Sequence, residues 1–304
     1  MGYFLAQVVN GLEVGSLYAL VALGYTLIYG ILELLNFAHG DIFMVGAFLA
    51  AGVAALLVHN EAAAVPAGLL IGLMIVASMA GAGGLGVAIE RVAYRPLRNA
   101  NRLAPLITAI GVSLFLESAV QVGISPAPVG VQTHAIISQT VFHLGSVDTP
   151  FSKVLLVAVA LVLMVGLDLF VFRTQFGSAM RATAQDREAA TFMGIDVDRV
   201  IMVTFFVASA LAGMAGLLYV LSYATAQFFM GYLLGIKAFT AAVIGGIGNI
   251  RGAMVGGLLL GLLESLIGGY ISTQFQDTFV FLGLILVLLV RPQGLFGQPL
   301  TDRA

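Results

Sequence analysis

The chain has 304 residues, 60% of them hydrophobic, and only 13 Lys or Arg and 15 Asp or Glu. A soluble domain carries about 25% charged residues, so a soluble fold and a disordered chain are excluded, and a formal charge of −2 leaves no basic footprint for nucleic acid. Cysteine is absent, which excludes disulfides, thiolate metal sites and a cysteine nucleophile; what remains is a polytopic membrane protein whose outer surface is solvated by the lipid bilayer.

A membrane helix needs about 20 mostly apolar residues. Such stretches lie near 5–30, 41–58, 66–90, 103–123, 152–172, 199–222, 233–249, 252–271 and 278–290. The runs are continuous rather than alternating, and far exceed the roughly 10 residues of a barrel strand. The predicted fold is therefore all-α, a single transmembrane domain over 1–304 with about eight or nine membrane helices. No Lys or Arg precedes the first stretch, so it does not read as a cleaved signal peptide and is expected to stay in the protein. The short stretch 233–249 is the candidate re-entrant segment, and the chain is expected to break around Gly30–Gly40. Residues 124–151, with Pro126, Pro128, His134, Gln139, His143 and Asp148, form an external loop suited to a short amphipathic or hairpin element on the membrane surface.

Charge placement gives the orientation. All eleven arginines fall in alternate connections: Arg91, Arg95, Arg98 and Arg102 in the third, Arg173, Arg181, Arg187 and Arg199 in the fifth, Arg251 between the seventh and eighth spans, Arg291 and Arg303 after the last. Lys153 and Lys237 fall on the other side. Basic residues collect on the cytoplasmic side, which predicts cytoplasmic arginine loops and a cytoplasmic C-terminus. Nine crossings place the N-terminus outside; eight place it inside.

Glycine crowds two regions, Gly81, Gly83, Gly84 and Gly86, and the run Gly245, Gly246, Gly248, Gly252, Gly256, Gly257 and Gly261. Small residues let membrane helices approach closely. Gly246-Ile-Gly248-Asn-Ile-Arg-Gly252 lacks the preceding strand and the spacing of a dinucleotide loop and reads as a tight turn. Among ionisable groups in the spans, Glu13, Glu117 and Glu264 are candidates to face a cavity or a partner, while Asp168 reads as structural. Glu13 and Ser16 sit in Gly11-Leu-Glu-Val-Gly15-Ser16, a stretch suited to a locally unwound helix of the kind that lines transporter cavities. The four histidines are scattered, and no nucleophile elbow, Walker lysine loop or zinc motif is spelled. An enzyme is disfavoured, and any ATP must be bound by another chain.

The most informative polar segment is 174–198. Asp186 can cap a short helix with Glu188 in its first turn; Ala189, Ala190, Phe192 and Met193 supply an apolar face, and Gly194 ends it. Such a helix suits docking into a groove of another protein, with a helix flat on the membrane as the competing reading.

Glu188-Ala-Ala-x-x-x-Gly194 resembles the coupling loop by which permeases of ATP-binding-cassette importers seat on their ATPases. Asn36-Phe-Ala-His39-Gly-Asp41, Gly245-Gly-Ile-Gly-Asn249-Ile-Arg251-Gly252 and Arg291-Pro-Gln-Gly294-Leu-Phe296-Gly297 narrow the match: the chain resembles the shorter of the two paired permeases of the branched-chain amino-acid family, over about residues 5–300. The resemblance implies an importer of Leu, Ile, Val or related neutral amino acids in the bacterial cytoplasmic membrane. It implies as partners a homologous second permease, two ATPase subunits that carry ATP and Mg, and a periplasmic or extracellular substrate-binding protein; no cofactor is bound by this chain. It also implies that Arg181, Gln185, Asp186, Glu188, Ala189, Ala190 and Gly194 form the ATPase-coupling loop. Asn36 and His39 match a family motif at a helix break, where they suit backbone packing as well as transport. Urea, short amides and aromatic amino acids are the alternative substrates, and an ATPase-independent secondary transporter or channel is the competing class. Gly15-Ser-Leu-Tyr-Ala-Leu20 and Gly216-Leu-Leu-Tyr-Val-Leu221 share four of six residues, a hint of an inverted repeat.

Overall fold

The computed structural model describes residues 2–58, 66–98, 100–101, 103–133, 141–144 and 147–297. Every apolar stretch forms a helix: α1 Gly2–Leu32, α2 His39–Val58, α3 Ala67–Ile89, α4 Leu103–Gly123, α5 Phe151–Arg173, α8 Val197–Tyr223, α9 Met230–Gly245, α10 Ile250–Tyr270 and α11 Gln276–Val290. Two short helices, α6 Gln175–Gln185 and α7 Arg187–Phe192, lie between α5 and α8. Seven of the helices are long and apolar enough to cross a membrane. The exceptions among the apolar stretches, α9 and α11, have 16 and 15 residues, about 24 and 22 Å at 1.5 Å per residue. α3 continues into a π-turn, Glu90–Tyr94, and a 3₁₀ turn, Arg95–Leu97.

Interhelical bonds sort the helix ends onto two faces. The start of α1 meets the end of α10 (Tyr3 hydroxyl to the Gly269 carbonyl, 2.8 Å) and the start of α5 (Lys153 to Asn10, 2.6 Å). The end of α1 meets α7, where Arg187 donates to the Ile31 carbonyl. Arg251 at the start of α10 pairs with Asp168 near the end of α5 at 2.8 Å, and the 3₁₀ turn that follows α3 and its π-turn meets the start of α8 through Arg95 and the adjoining Arg98, both paired with Asp198. After α11 the chain returns to the α9–α10 turn, with the Leu295 and Phe296 amides on the Ile244 and Gly245 carbonyls at 2.8 and 3.0 Å. The nine long helices thus alternate in direction. Nine of the eleven arginines lie on one face, here the arginine face; Arg102 and Arg303 lie outside the described residues. The N-terminus lies on the opposite face.

The connection between α4 and α5 is described in part. Its β2 Val141–Leu144 and β3 Val147–Pro150 form a hairpin, and β1 Val129–Gly130 pairs antiparallel with β4 Thr225–Ala226 after α8. His134 and Gln139 lie outside the described residues.

α1 runs antiparallel to α10 at close range. A Cβ at Gly11 would meet the Leu262 Cα at 2.8 Å, and one at Gly15 the Leu258 Cα at 2.9 Å. This corrects the expectation of an unwound segment at 11–16: α1 is continuous there, and its glycines serve close packing. Of the 233–249 stretch, residues 233–245 belong to α9 and 246–249 to the turn after it; the chain leaves α8 on one face and reaches the other at the end of α9, so it does not turn back as a re-entrant segment would. In the second glycine run, Gly246 (φ +106°) and Gly248 (φ +89°) make the turn between α9 and α10.

The chain does break before α2. α1 ends in Glu33, a non-glycine residue at φ +55°, and the chain then folds back before α2 begins. The His39 ring sits against Gly24 of α1, eight residues or about 12 Å short of the α1 end. α2 therefore starts inside the protein.

An equivalent break follows α8. Ala224 also has φ +55°, and α9 starts six residues later, as α2 does after Glu33. The two breaks are 191 positions apart, and at that offset Gly40, Ala47, Phe48, Ala50 and Ala51 recur as Gly231, Ala238, Phe239, Ala241 and Ala242. The equivalent glycines stack on each other: a Cβ at Gly40 would strike the Gly231 carbonyl oxygen, and one at Gly231 the Gly40 oxygen at 2.7 Å. α1 lies along α10 as α8 lies along α3. Since α1 and α8 run in opposite directions, these halves form an inverted repeat. Its register differs from that of the 15–20 and 216–221 echo, which is offset by ten further residues.

Candidate functional site

Three groups of residues stand out. The first is the surface segment around α7. Thr174 caps α6 through the Gly177 amide at 3.0 Å, and Gly177 is wedged against the Val171 and Phe170 carbonyls. Arg181 donates to the Val171 carbonyl and lies 5.4 Å from the Phe172 ring centre, so it fixes the α5–α6 corner. Gln185, exposed, is the last residue of α6, and the Asp186 carboxylate then caps α7 on the Ala189 amide at 3.0 Å. Glu188 is exposed in the first turn, where it complements the helix dipole. Ala190 is buried, whereas Ala189 points outward with Phe192 and Met193, which are 87% and 83% exposed. Gly194, at φ +84°, ends α7, with its amide on the Thr191 carbonyl at 3.0 Å. The segment thus carries an apolar knob on a doubly capped, charge-flanked helix. Beside it opens a cleft of about 510 Å³ lined by Tyr29, Glu33, Arg98, Asp186, Arg187 and Glu188.

The second group surrounds the start of α2. Asn36, His39 and Asp41 are all buried. Tyr94, in the π-turn, donates to Asn36 Oδ1 at 2.9 Å. The His39 ring packs edge-on to Tyr25 at 5.0 Å, with Gly24 leaving it room. Ser113 of α4 donates to Asp41, and half-buried Glu117 lies one helical turn beyond Ser113. Glu90 in the π-turn is buried against Arg98, which also binds Asp198.

The third group ties helices together nearer the opposite face. Buried Glu13 pairs with Lys153 at 3.0 Å. Glu264 accepts from Tyr18 and from Lys237, both at 2.7 Å, and Lys237 also reaches Asp277 at 2.6 Å. Ser16 is buried in α1 with no hydrogen-bond partner among the described residues. Glu13 and Glu264 are therefore ion-pair partners with local cations, while Glu117 on α4 belongs to the second group. The candidate residues fall into distinct places, and only Asn36, His39 and Glu117 gather near one helix start. Among the described residues no cluster of His, Asp and Glu suits a metal ion.

The family model described as branched-chain amino acid transport system, permease component, matches residues 7–290. The chain belongs to this family. Over 99% of its length it is 42% identical to the high-affinity branched-chain amino acid transport system permease protein BraD of Pseudomonas aeruginosa and 40% identical to LivH of Escherichia coli K12, which carries the same description, covering 98% of each relative. A more distant similarity, 30% identity over 43% of the chain and 38% of the relative, links it to the fructose import permease protein FrcC of Rhizobium meliloti. No solved structure matches. A permease of this family is a transport subunit in the membrane.

Sequence reasoning passed over several residues that the fold makes important. Asp41 was legible only as part of the 36–41 motif, and Ser113, Tyr94 and Lys237 had no signal beyond being polar in apolar surroundings. The usable signal was the polarity itself, since polar groups at membrane depth find partners.

Proposed function

We propose that this permease is the membrane subunit of an ATP-binding-cassette importer for branched-chain amino acids, Leu, Ile and Val, or closely related neutral amino acids. ATP and Mg are held by two separate ATPase subunits, a homologous second permease stands beside it, and a periplasmic or extracellular binding protein delivers the substrate. The protein sits in the bacterial cytoplasmic membrane, with the arginine face and the C-terminus in the cytoplasm and the 124–151 loop outside. The observation that carries the reading is the α7 knob: Phe192 and Met193 project from a helix of fixed geometry, as an amphipathic helix presented to a groove must. In this reading Gln185, Asp186, Glu188, Ala189 and Gly194 shape the ATPase contact, while Arg181 and Ala190 hold it from behind. The relatives' names support the substrate class, and the arginine asymmetry supports the orientation.

Reconstitution tests this directly. The chain with its ATPases, second permease and binding protein is expected to take up labelled leucine only with ATP. Robust uptake by the chain alone on an ion gradient would replace the importer by a secondary transporter, and a preference of the cognate binding protein for urea, short amides or aromatic amino acids would replace the substrate.

A further inference from the structure

An ATPase docked on α7 would push at the protein surface, so its work must reach the interior through a connected, two-state element. The Arg187 side chain makes a connection of this kind. Arg187, half-buried on α7, turns away from the docking knob and donates through Nε and Nη2 to the Ile31 carbonyl at 3.2 and 2.6 Å. That carbonyl belongs to the last turn of α1, where helix carbonyls lack intrahelical partners and a cation is favourable. Burial lowers the Arg187 pKa, with the Glu33 carboxylate opposing and Arg98 adding to the effect; the guanidinium stays charged.

Ile31 stands two residues before the break. Glu33 has φ +55°, a conformation that costs a residue with a Cβ about 1–2 kcal/mol. Three residues later Asn36 is held by Tyr94 of the π-turn at 2.9 Å, and π-turns recur at functional sites. The path thus runs from α7 to the end of α1, through the break, to the buried start of α2. The second break has a counterpart on the opposite face. The Ala224 carbonyl accepts the Val131 amide at 2.9 Å, and Thr225–Ala226 pairs with Val129–Gly130. Each break is therefore held on its own face by a surface segment lying outside the two repeated halves.

We propose that Glu33 and Ala224 are paired hinges of the inverted repeat, and that Arg187 is the positioning residue that ties the inner hinge to the docking helix. This rests on the reading of α7 as the ATPase contact. Displacement of α7 moves the Ile31 carbonyl, and with it the turn at Glu33 that sets where α2 begins.

The natural chain has no cysteine, so a Leu34→Cys thiol, beside the cleft, reports on the inner hinge in the complete complex. In the otherwise unaltered protein its maleimide reactivity is expected to change when ATP and vanadate are added. Arg187→Met is expected to keep the ATPases bound and hydrolysing ATP, to lower ATP-driven leucine uptake about tenfold, and to abolish that change in reactivity. Arg187→Lys, which still offers one donor to the carbonyl, is expected to restore part of both. Tyr94→Phe, which removes only the bond to Asn36, gives a second test should Arg187→Met fail to accumulate: it too is expected to lower uptake with the ATPases retained. Unchanged uptake and an unchanged ATP-dependent reactivity in Arg187→Met, or in Tyr94→Phe where it stands alone, would overturn the proposal. Phe192→Asp separates this from the docking reading: if it still retains the ATPases, α7 is not their contact and the docking reading fails first.

Discussion

At the scale of single residues, backbone approach and buried charge carry the argument. A Cβ at Gly40 would meet backbone on two sides, the Gly231 carbonyl oxygen and the Gly235 Cα at 2.8 Å, and neither belongs to a flexible side chain. Gly40→Ala is therefore expected to destabilise the protein by about 3 kcal/mol through overpacking. Gly52→Ala, with open space around the added carbon, is expected to be neutral or to gain up to about 1 kcal/mol of helix propensity. Thermal unfolding of the purified variants in detergent compares them; equal stability would remove the close glycine contact as a structural requirement. Buried charge behaves differently at the two ends of one network. Glu264→Ala leaves Lys237 with one carboxylate and is expected to cost about 3 kcal/mol, whereas Asp277→Asn, at a carboxylate 58% exposed, is expected to cost under about 1 kcal/mol. Equal losses in the same measurement would show that Glu264 is not the structural partner of Lys237. Glu264 was legible as a membrane carboxylate in need of a partner; its partner was not, because Lys237 lies 27 residues away on the neighbouring helix and nothing local links them. The stretch around Glu13 was misread for a related reason: its glycines suggested unwinding, yet their purpose is fixed by α10, nearly 250 residues further along the chain.

Elements were more legible than contacts. Continuous apolar runs give helices whatever their neighbours are, because the backbone at membrane depth must satisfy its own hydrogen bonds, and all nine stretches became helices. α7 could be read from its caps, since an Asp at the start and a Gly at the end act within one turn. The orientation of its faces could not, and Ala190 turned inward. Its end depends on Gly194 at φ +84°, which proline, fixed near −65°, cannot adopt. Gly194→Pro is thus expected to re-aim Phe192 and Met193 and to release or uncouple the ATPases, and Glu188→Lys to weaken their binding by placing a cation at the helix N-terminus. Co-purification with the ATPases and substrate-stimulated ATP hydrolysis measure both effects. Normal values for both variants would remove α7 from the coupling machinery.

For the whole molecule, the inverted repeat and the helix alternation constrain each other. Only five residues recur over the first thirteen positions of α2 and α9, too few to set a register in apolar sequence; the matched breaks and the reciprocal glycine stack supply it. Repeat halves of opposite direction require that α1 and α8 start on opposite faces, and this holds because the chain passes from face to face five times before α8, along α1 to α5; α9 and α11 also pass between the faces, since both end at the arginine face. An odd number of crossings then separates the chain's ends. The absence of cysteine makes the consequence measurable with single thiols at exposed positions. Phe4→Cys and Ile124→Cys, at sites 49% and 60% exposed, are expected to react with a membrane-impermeant maleimide in intact cells. Met193→Cys, at a site 83% exposed, is expected to react only in inside-out vesicles, and to be protected there when the ATPases are bound. Labelling of the position-4 and position-193 thiols from the same side would require α1 to end where it begins. That outcome would break the alternation and, with it, the equivalence of the two hinges.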